Sequence, residues 1–361
     1  MIYHVIGLMS GSSLDGLDIA YVELTEQRGK WSFAIHQAEC LPYVDGWVGK
    51  LRHATQDSVP EFLKLHTAYG RLLGEQVNTF IQRHGLEHKI HFIASHGHTV
   101  FHEPAGGTTV QIGDGATLAA ITGLPVIADL RALDVALGGQ GAPIVPIGDR
   151  LLFADYPYLL NIGGIANLTI QAAQRSIAFD VCPANAVLNV LAQREGQPYD
   201  AEGRIAESGS LLLDVLAELN AQEYYRSAPP KSLSNEAAQA MAFPAMLESQ
   251  QNNADLLNTF CHHIAEQVAA GAARHGAGAG AMLVTGGGAF NSYLVSRLEA
   301  ALEPLHISVT VPDERVAKFK EALVMALIGT LRWREESNVL SSVTGASRNS
   351  VGGAIWMGQE A

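Results

Sequence analysis

A chain of 361 residues that is 48% apolar and 16% charged has the material for a large buried core and the length for two domains, which excludes a disordered or fibrous protein. Its formal charge of −13 is spread without a basic run, which opposes non-specific attraction to nucleic acid or to an anionic membrane and points to a small-molecule substrate. Cys40, Cys182 and Cys261 are far apart and form no C-x-x-C pair, the pattern of reduced thiols rather than of disulfides or structural zinc.

In chain order, Ile2 to Leu8 is a short apolar run without the positive flank of a secretory signal, and it is expected to be a first β-strand. No stretch approaches the ~20 apolar residues of a membrane span, so a cytoplasmic protein is expected. VIGLMSGSSLDGLDIAYVEL has the form strand, small-residue turn, strand. From Pro60 to Gly85, Phe62, Leu65, Tyr69, Leu73, Val77 and Phe80 share one face and the run stops at glycine, as a core-facing helix does. HFIASHG, GATLAAITGL and PVIADLR then alternate strand, helix and strand, the grammar of an α/β protein. Mid-chain, YLLNIGGIANLTIQ repeats the strand, turn, strand device. SIAFD follows as a strand, a long helix spans about Ala254 to His275, and MLVTGGGAFNSYLVSRL is apolar strand, glycine cluster, helix.

One glycine turn between paired strands is a hairpin and nothing more, because glycine supplies the positive φ such turns need. Two of them, each carrying hydroxyl, amide or carboxylate side chains, point to a duplicated fold whose hairpins face one another across a cleft. Backbone N–H groups turned inward make a concavity for anions, so a polyphosphate is a natural occupant. At Gly286-Gly287-Gly288 a ligand can lie against the backbone where a helix begins. That cluster lacks the G-x-G-x-x-G spacing and the ribose-binding acid ~20 residues on, and no P-loop occurs anywhere, which sets aside a dinucleotide oxidoreductase and a P-loop NTPase. For a general base, Asp180 follows apolar Phe179 at a strand end before a proline turn, but Asp129 and Asp134 are equally eligible on the residues alone. His96, His98 and His102 invite a metal test, since i, i+2 histidines on a strand share a face; the glycine between the first two and the lack of an acidic partner argue against one.

Ten segments occur in order over nearly the whole chain: MSGSSLDGLD (Met9 to Asp18), SHGHTV, VQIGDG, ADLRALDVALGGQGAP, LNIGGIANLT, FDVCPAN (Phe179 to Asn185), PPKS, TGGGAFN, KEAL and TGASR. Together they resemble the anhydro-N-acetylmuramic acid kinase family. The resemblance implies an α/β protein of two duplicated actin-like (ribonuclease H-like) lobes with ATP in the cleft. Lobe I is expected over 1–135 and 345–361, with the first phosphate hairpin and part of the sugar site, and lobe II over 136–344. The implied reaction takes 1,6-anhydro-N-acetylmuramic acid, ATP and water to N-acetylmuramate 6-phosphate and ADP, in recycling of cell-wall sugar.

The same resemblance distributes roles. Gly11, Ser12, Ser13, Leu14, Asp15, Gly16, Leu17 and Asp18 form the ATP-phosphate stretch, with Asn161, Gly163, Gly164 and Asn167 opposite and Gly286, Gly287 and Gly288 near the nucleoside. Asp180 becomes the catalytic base, in the F-D-x-x-P-x-N segment. Asp15 or Asp18 is placed to hold Mg²⁺ through water, since Mg²⁺ prefers few carboxylates and several waters. His96, Arg131, Asn185 and Glu321 are expected at the sugar, Arg131 suiting a lactyl carboxylate by its planar fork and Glu321 opening an apolar helix. Gly138 to Pro143 is expected as a hinge, and a homodimer by analogy. The chain departs from the family pattern in carrying Cys182 and Ala184 where glycines are usual, and Asn189 for an aspartate. The rival is an ATPase or non-catalytic sensor on the same fold, or a kinase of another sugar.

Overall fold

The computed structural model describes residues 1–11, 14–44, 46–171, 176–229, 231–233, 240–242, 244–246, 250–276 and 278–358. Ser12 and Ser13 lie outside the described residues. The chain forms two compact units, Met1–Phe153 with Phe319–Ala361, and Ala154–Lys318. Both chain ends belong to the first unit, but the crossings fall at 153/154 and 318/319 rather than near 135 and 345. Packing explains the shift. Gly148 lies against Val324 with no room for a Cβ, Phe153 meets Phe33 with ring centroids 5.4 Å apart, and a Cβ on Gly329 would come 2.5 Å from that of Ala94.

The second crossing is inside the helix Glu314–Trp333, where Phe319 (φ −112°, ψ 17°) departs from helical dihedrals. The segment expected as a hinge, Gly138 to Pro143, is instead anchored within the first unit. Gly141 N–H donates to Asp134 Oδ2 at 2.8 Å and Gln140 N–H donates to Thr344 O at 2.9 Å.

In the first unit, β1 (Ile2–Ser10), β2 (Leu17–Gln27) and β3 (Lys30–Leu41) make an antiparallel meander. Parallel to β1 on its other side lies β4 (Phe92–Ser95), then β7 (Val126–Ala128), with β13 (Ala354–Trp356) antiparallel at the edge. A hairpin of β5 (His98–Glu103) and β6 (Thr108–Ile112) stands apart from the sheet. The helix Val59–His84 begins at a capping box of Ser58 and Glu61, one residue before the expected Pro60, and ends at Gly85 in the left-handed region (φ 59°), the glycine stop read from the sequence. Its Leu65, Tyr69, Leu73, Val77 and Phe80 are buried, and Phe62 partly so.

In the second unit, β8 (Tyr158–Ile162), β9 (Ile165–Gln171) and β10 (Ser176–Pro183) form another antiparallel meander. Again two parallel strands follow beside the first, β11 (Gly280–Thr285) and β12 (Ile307–Thr310). Each unit thus runs third, second, first, fourth, fifth strand across its sheet, the duplicated actin-like order. Asn252 Oδ1 caps the helix Asn253–His275 by accepting from Ala254 N–H at 2.8 Å. That helix buries Leu256, Leu257, Phe260, Ile264 and Val268 in the core of this unit. Among the described residues no helix is long and apolar enough to cross a membrane.

Candidate active site

Strand register in the second unit assembles a row of polar residues. Thr285 on β11 pairs with Asn161 on β8, Asn161 with Asn167 on β9, and Asn167 with Asp180 on β10. Directly paired residues project to the same face with Cβ atoms ~4.5–5.5 Å apart, so four strands present hydroxyl, two amides and a carboxylate side by side. Thr285 Oγ1 donates to Asn161 Oδ1 at 3.3 Å.

Above this row, the turn between β8 and β9 is tied to the helix Asn185–Arg194. Gly163 O accepts from Asn185 N–H at 3.0 Å and Gly164 O from Ala184 N–H at 2.8 Å, while Asn185 Nδ2 donates to Ile162 O at 3.1 Å. The glycines here differ in why they are glycine. Gly286, with φ 84°, would place a Cβ 2.7 Å from both Asn161 Oδ1 and Ile162 O, and Gly288 lies hard against the Ile162 side chain, so packing dictates both. A Cβ on Gly163 would meet nothing nearer than 3.7 Å, and on Gly164 only Ala186 Cβ at 3.7 Å. Neither has a left-handed φ. The protein's own packing and backbone conformation therefore do not require glycine at 163 and 164.

Asp180 sits within β10 rather than at its end, at a bulge between Asp180 and Cys182. Bulges re-aim a side chain and recur next to active sites. Its Oδ2 accepts from Leu233 N–H at 2.8 Å, its N–H donates to Lys231 O at 3.2 Å, and its carbonyl accepts from Tyr224 OH at 2.7 Å. Burial pushes the Asp180 carboxyl above the ordinary range, with the Leu233 N–H pulling the other way. Of the competing aspartates, Asp134 is wholly buried, accepting from Gly141 N–H and from Thr344 Oγ1 at 2.7 Å. Asp129 follows β7 with φ 57° and is exposed as a residue, yet burial raises its carboxyl as it raises that of Asp180, with a hydrogen bond from Ala132 N–H pulling the other way. Cys182 and Ala184, the two departures beside Asp180, are both fully buried in the core.

In the first unit the β1–β2 turn carries Gly11, Leu14 (φ 59°), Asp15 and Gly16 into Leu17 and Asp18 of β2. Gly16 is required by packing, since a Cβ would lie 2.5 Å from Leu41 O. Asp18 pairs with Met9 and Cys40. Burial raises its carboxyl to about 6, opposed by a hydrogen bond from Cys40 and reinforced by the charges of Glu321 and Asp15. Asp15 is exposed. Two carboxylates fit Mg²⁺ held through water, and among the described residues no cluster of three His, Cys, Asp or Glu forms a metal cage.

Under this turn, Ser10 Oγ hydrogen-bonds Tyr43 OH at 2.5 Å and His98 Nδ1 at 3.0 Å, and Tyr43 OH meets Tyr69 OH at 2.7 Å. His96, between β4 and β5, faces a different partner: Arg131 Nε donates to His96 Nε2 at 2.9 Å, and His96 Nδ1 bonds Gly97 O at 2.9 Å. The histidines therefore do not converge on a metal. Arg131 Nη1 also donates to Gly141 O at 3.3 Å; burial lowers Arg131 to about 10, with Glu321 opposing, and its charge persists at neutral pH. Glu321 does not open a helix but lies inside Glu314–Trp333, two residues beyond the break at Phe319. Burial raises its carboxyl, while Lys320 and Arg131 lower it. Beside it, Lys320 Nζ makes a buried ion pair with Asp149 Oδ1 at 2.7 Å, which no sequence pattern announced.

Two α/β units of one strand order, with an open glycine turn beside a half-buried carboxylate, match the arrangement expected of a phosphotransferase of the actin-like class. A family model described as Anhydro-N-acetylmuramic acid kinase matches residues 3–358. Curated relatives of that name include one from Coxiella burnetii, 33% identical over 366 residues, and one from Shewanella sediminis, 36% identical over 372 residues; each match covers 98% of both chains. Among solved structures, the activator of 2-hydroxyisocaproyl-CoA dehydratase from Clostridium difficile, with bound ADPNP, matches at TM-score 0.48 and 15% identity over 92% of this chain and 96% of that one. The chain belongs to the anhydro-N-acetylmuramic acid kinase family.

Proposed function

We propose that the protein is an ATP-dependent kinase that hydrolytically opens 1,6-anhydro-N-acetylmuramic acid and phosphorylates it at O6. The product is N-acetylmuramate 6-phosphate, in cell-wall sugar recycling, and the enzyme acts as a cytoplasmic homodimer on a small sugar without nucleic-acid or membrane partners. The observation that carries this reading is the row Thr285, Asn161, Asn167, Asp180 beneath a turn whose Gly163 and Gly164 have room the protein does not fill.

Phosphoryl transfer has a loose transition state, so most of the protein's work is positioning and stabilising charged oxygens. The Gly11 to Asp18 stretch and the turn at Gly163 and Gly164 receive the phosphates; Gly163 N–H is already bonded to Ile165 O at 3.3 Å, so Gly164 N–H and the amides of Asn161 and Asn167 are the donors in the second unit, and Gly286 to Gly288 approach the nucleoside. Mg²⁺, held through water by Asp15 or Asp18, would neutralise phosphate charge. Arg131, fixed by His96, pairs the lactyl carboxylate of the sugar, with Asn185 and Glu321 orienting it. Asp180 takes a proton from water as the water oxygen bonds to C1 of the bridged sugar. The C1–O6 bond breaks, and O6 bonds to the γ-phosphorus as ADP leaves. A raised carboxyl pKa suits this base, since proton transfer is most efficient when the catalytic pKa approaches the working pH.

Coupled ADP release tests the reading, with Mg-ATP and 1,6-anhydro-N-acetylmuramic acid beside N-acetylmuramic acid and N-acetylglucosamine. Turnover of the anhydro sugar to a 6-phosphate is expected. ADP release indifferent to every sugar would replace this reading with an ATPase.

A further inference from the structure

We propose that Lys231, Arg274 and His275 form a second anion site, on the face of β10 opposite Asp180, that takes a phosphate group, either free or on a sugar phosphate. The three bases line a recess together with Phe179 and Val181 of β10 and Gly271 of the helix Asn253–His275. No aspartate or glutamate lines it among the described residues. Among the described residues the hydrogen-bond partners of the two permanent cations are neutral. Arg274 Nη1 donates to Tyr225 O at 2.8 Å, and Lys231 Nζ donates to Tyr224 O at 3.1 Å while lying 4.4 Å from the centre of the Tyr224 ring. Among the described residues one carbonyl takes one of the five guanidinium N–H donors of Arg274.

Three bases gathered in a chain of formal charge −13, without a counter-charge in the recess, disfavour one another. Arg274 lowers the Lys231 pKa, and Arg274 and Lys231 both lower that of His275, in each case after burial. An anion offsets that mutual repulsion, and by linkage it binds more tightly when His275 is protonated. The segment from Lys231 to Leu233 also connects this recess to the reaction. Lys231 O accepts from Asp180 N–H and Leu233 N–H donates to Asp180 Oδ2, so an occupant that draws on Lys231 bears on the backbone that holds the base. The site stands independently of which sugar the enzyme phosphorylates.

The test is an NMR titration of the His275 imidazole in the full chain, in phosphate-free buffer of fixed ionic strength, with inorganic phosphate or N-acetylmuramate 6-phosphate added. A rise in the His275 pKa on the order of one unit is expected, the lower end of what an opposite charge within ~4–6 Å produces. The rise should vanish in Arg274→Gln, whose ADP release without added anion should match the parent protein. A response to both additives identifies free phosphate as sufficient, and a response to the ester alone identifies the sugar phosphate as occupant. A His275 pKa unmoved by either, or a rise that survives undiminished in Arg274→Gln, overturns the site.

Discussion

Arg131 Nε donates to His96 Nε2 across 2.9 Å, so the arginine at this site is gripped by an imidazole and not by a carboxylate. The imidazole is neutral, its pKa lowered to about 3 by burial and by the Arg131 charge, and the bond from Arg131 leaves its Nδ1 as the donor to Gly97 O. The guanidinium is oriented while its charge stays uncancelled by direct contact. His96→Ala strands a donor whose loss costs ~1–3 kcal/mol, and KM for the sugar should rise roughly 10- to 100-fold. His96→Gln, which offers an amide oxygen, should recover part of that loss. Steady-state kinetics in which His96→Ala keeps the parental KM would remove His96 from the sugar site.

Asp180→Asn should lower kcat by ~10²–10⁴, the usual contribution of a general base. An amide oxygen can still accept from Leu233 N–H, so the thermal midpoint should change little. A variant that loses stability in step with activity would mean that Asp180 is structural.

Two kinds of glycine should separate in experiment. Gly163→Ala and Gly164→Ala meet ordinary van der Waals distances, so both should lie within ~1 kcal/mol of the parent in stability. KM for ATP should nonetheless rise about tenfold or more, because the methyl occupies the path of the ligand. Gly286→Ala must adopt φ 84° and intrude on Asn161 and Ile162, and it should be destabilised by ~2 kcal/mol or more. Unchanged nucleotide affinity in both Gly163→Ala and Gly164→Ala would show that the turn is only a turn.

Buried neutral histidines set an acid limb of stability. His263 is lowered to about 3 by burial, its Nε2 bonded to Tyr225 OH at 3.0 Å and its Nδ1 to Asn220 Oδ1 at 2.6 Å. Unfolded, it takes a proton near pH ~6.5. Between ~6.5 and about 3 the unfolded chain therefore binds more protons, and the stability present above ~6.5 is lost as pH falls. Asp18, raised to about 6, acts in the opposite sense, since the folded chain is protonated first. Urea melts from pH 7 to 5 should give His263→Gln a shallower loss of stability than the parent, by up to ~1 kcal/mol per pH unit. Parallel slopes would mean that His263 is not held neutral.

The repeated small-residue turns were legible because glycine and polar side chains between apolar runs mark a hairpin wherever they occur, and the two matching strand orders bear out the duplication. The row of Thr285, Asn161, Asn167 and Asp180 was not, because register across strands far apart in sequence is decided by packing of the whole sheet. Sequence put Asp180 among three equal aspartates; burial and the bonds from Gly141 and Thr344 set Asp134 apart, whereas Asp129 shares with Asp180 a carboxyl raised by burial and is separated from it by the family pattern. Ser10 and Tyr43 carried no local signal, and His98 drew notice only as a metal candidate, since their hydrogen bonds join residues 33 and 88 positions apart. The lobe boundaries were misplaced because Gly148 and Phe153 pack into the first unit through partners remote in sequence, Val324 and Phe33.

The three cysteines differ in a way that matters at the bench. Cys182 and Cys261 are fully buried and their thiols are pushed up by burial, whereas Cys40 is exposed. Thiolate, not thiol, reacts with alkylating dyes, so the unmodified chain amounts to a single-label protein. Cys40 hydrogen-bonds Asp18 and lies 3.0 Å from where a Cβ on Gly16 would be, which puts a fluorophore attached there against the β1–β2 turn without any engineered residue.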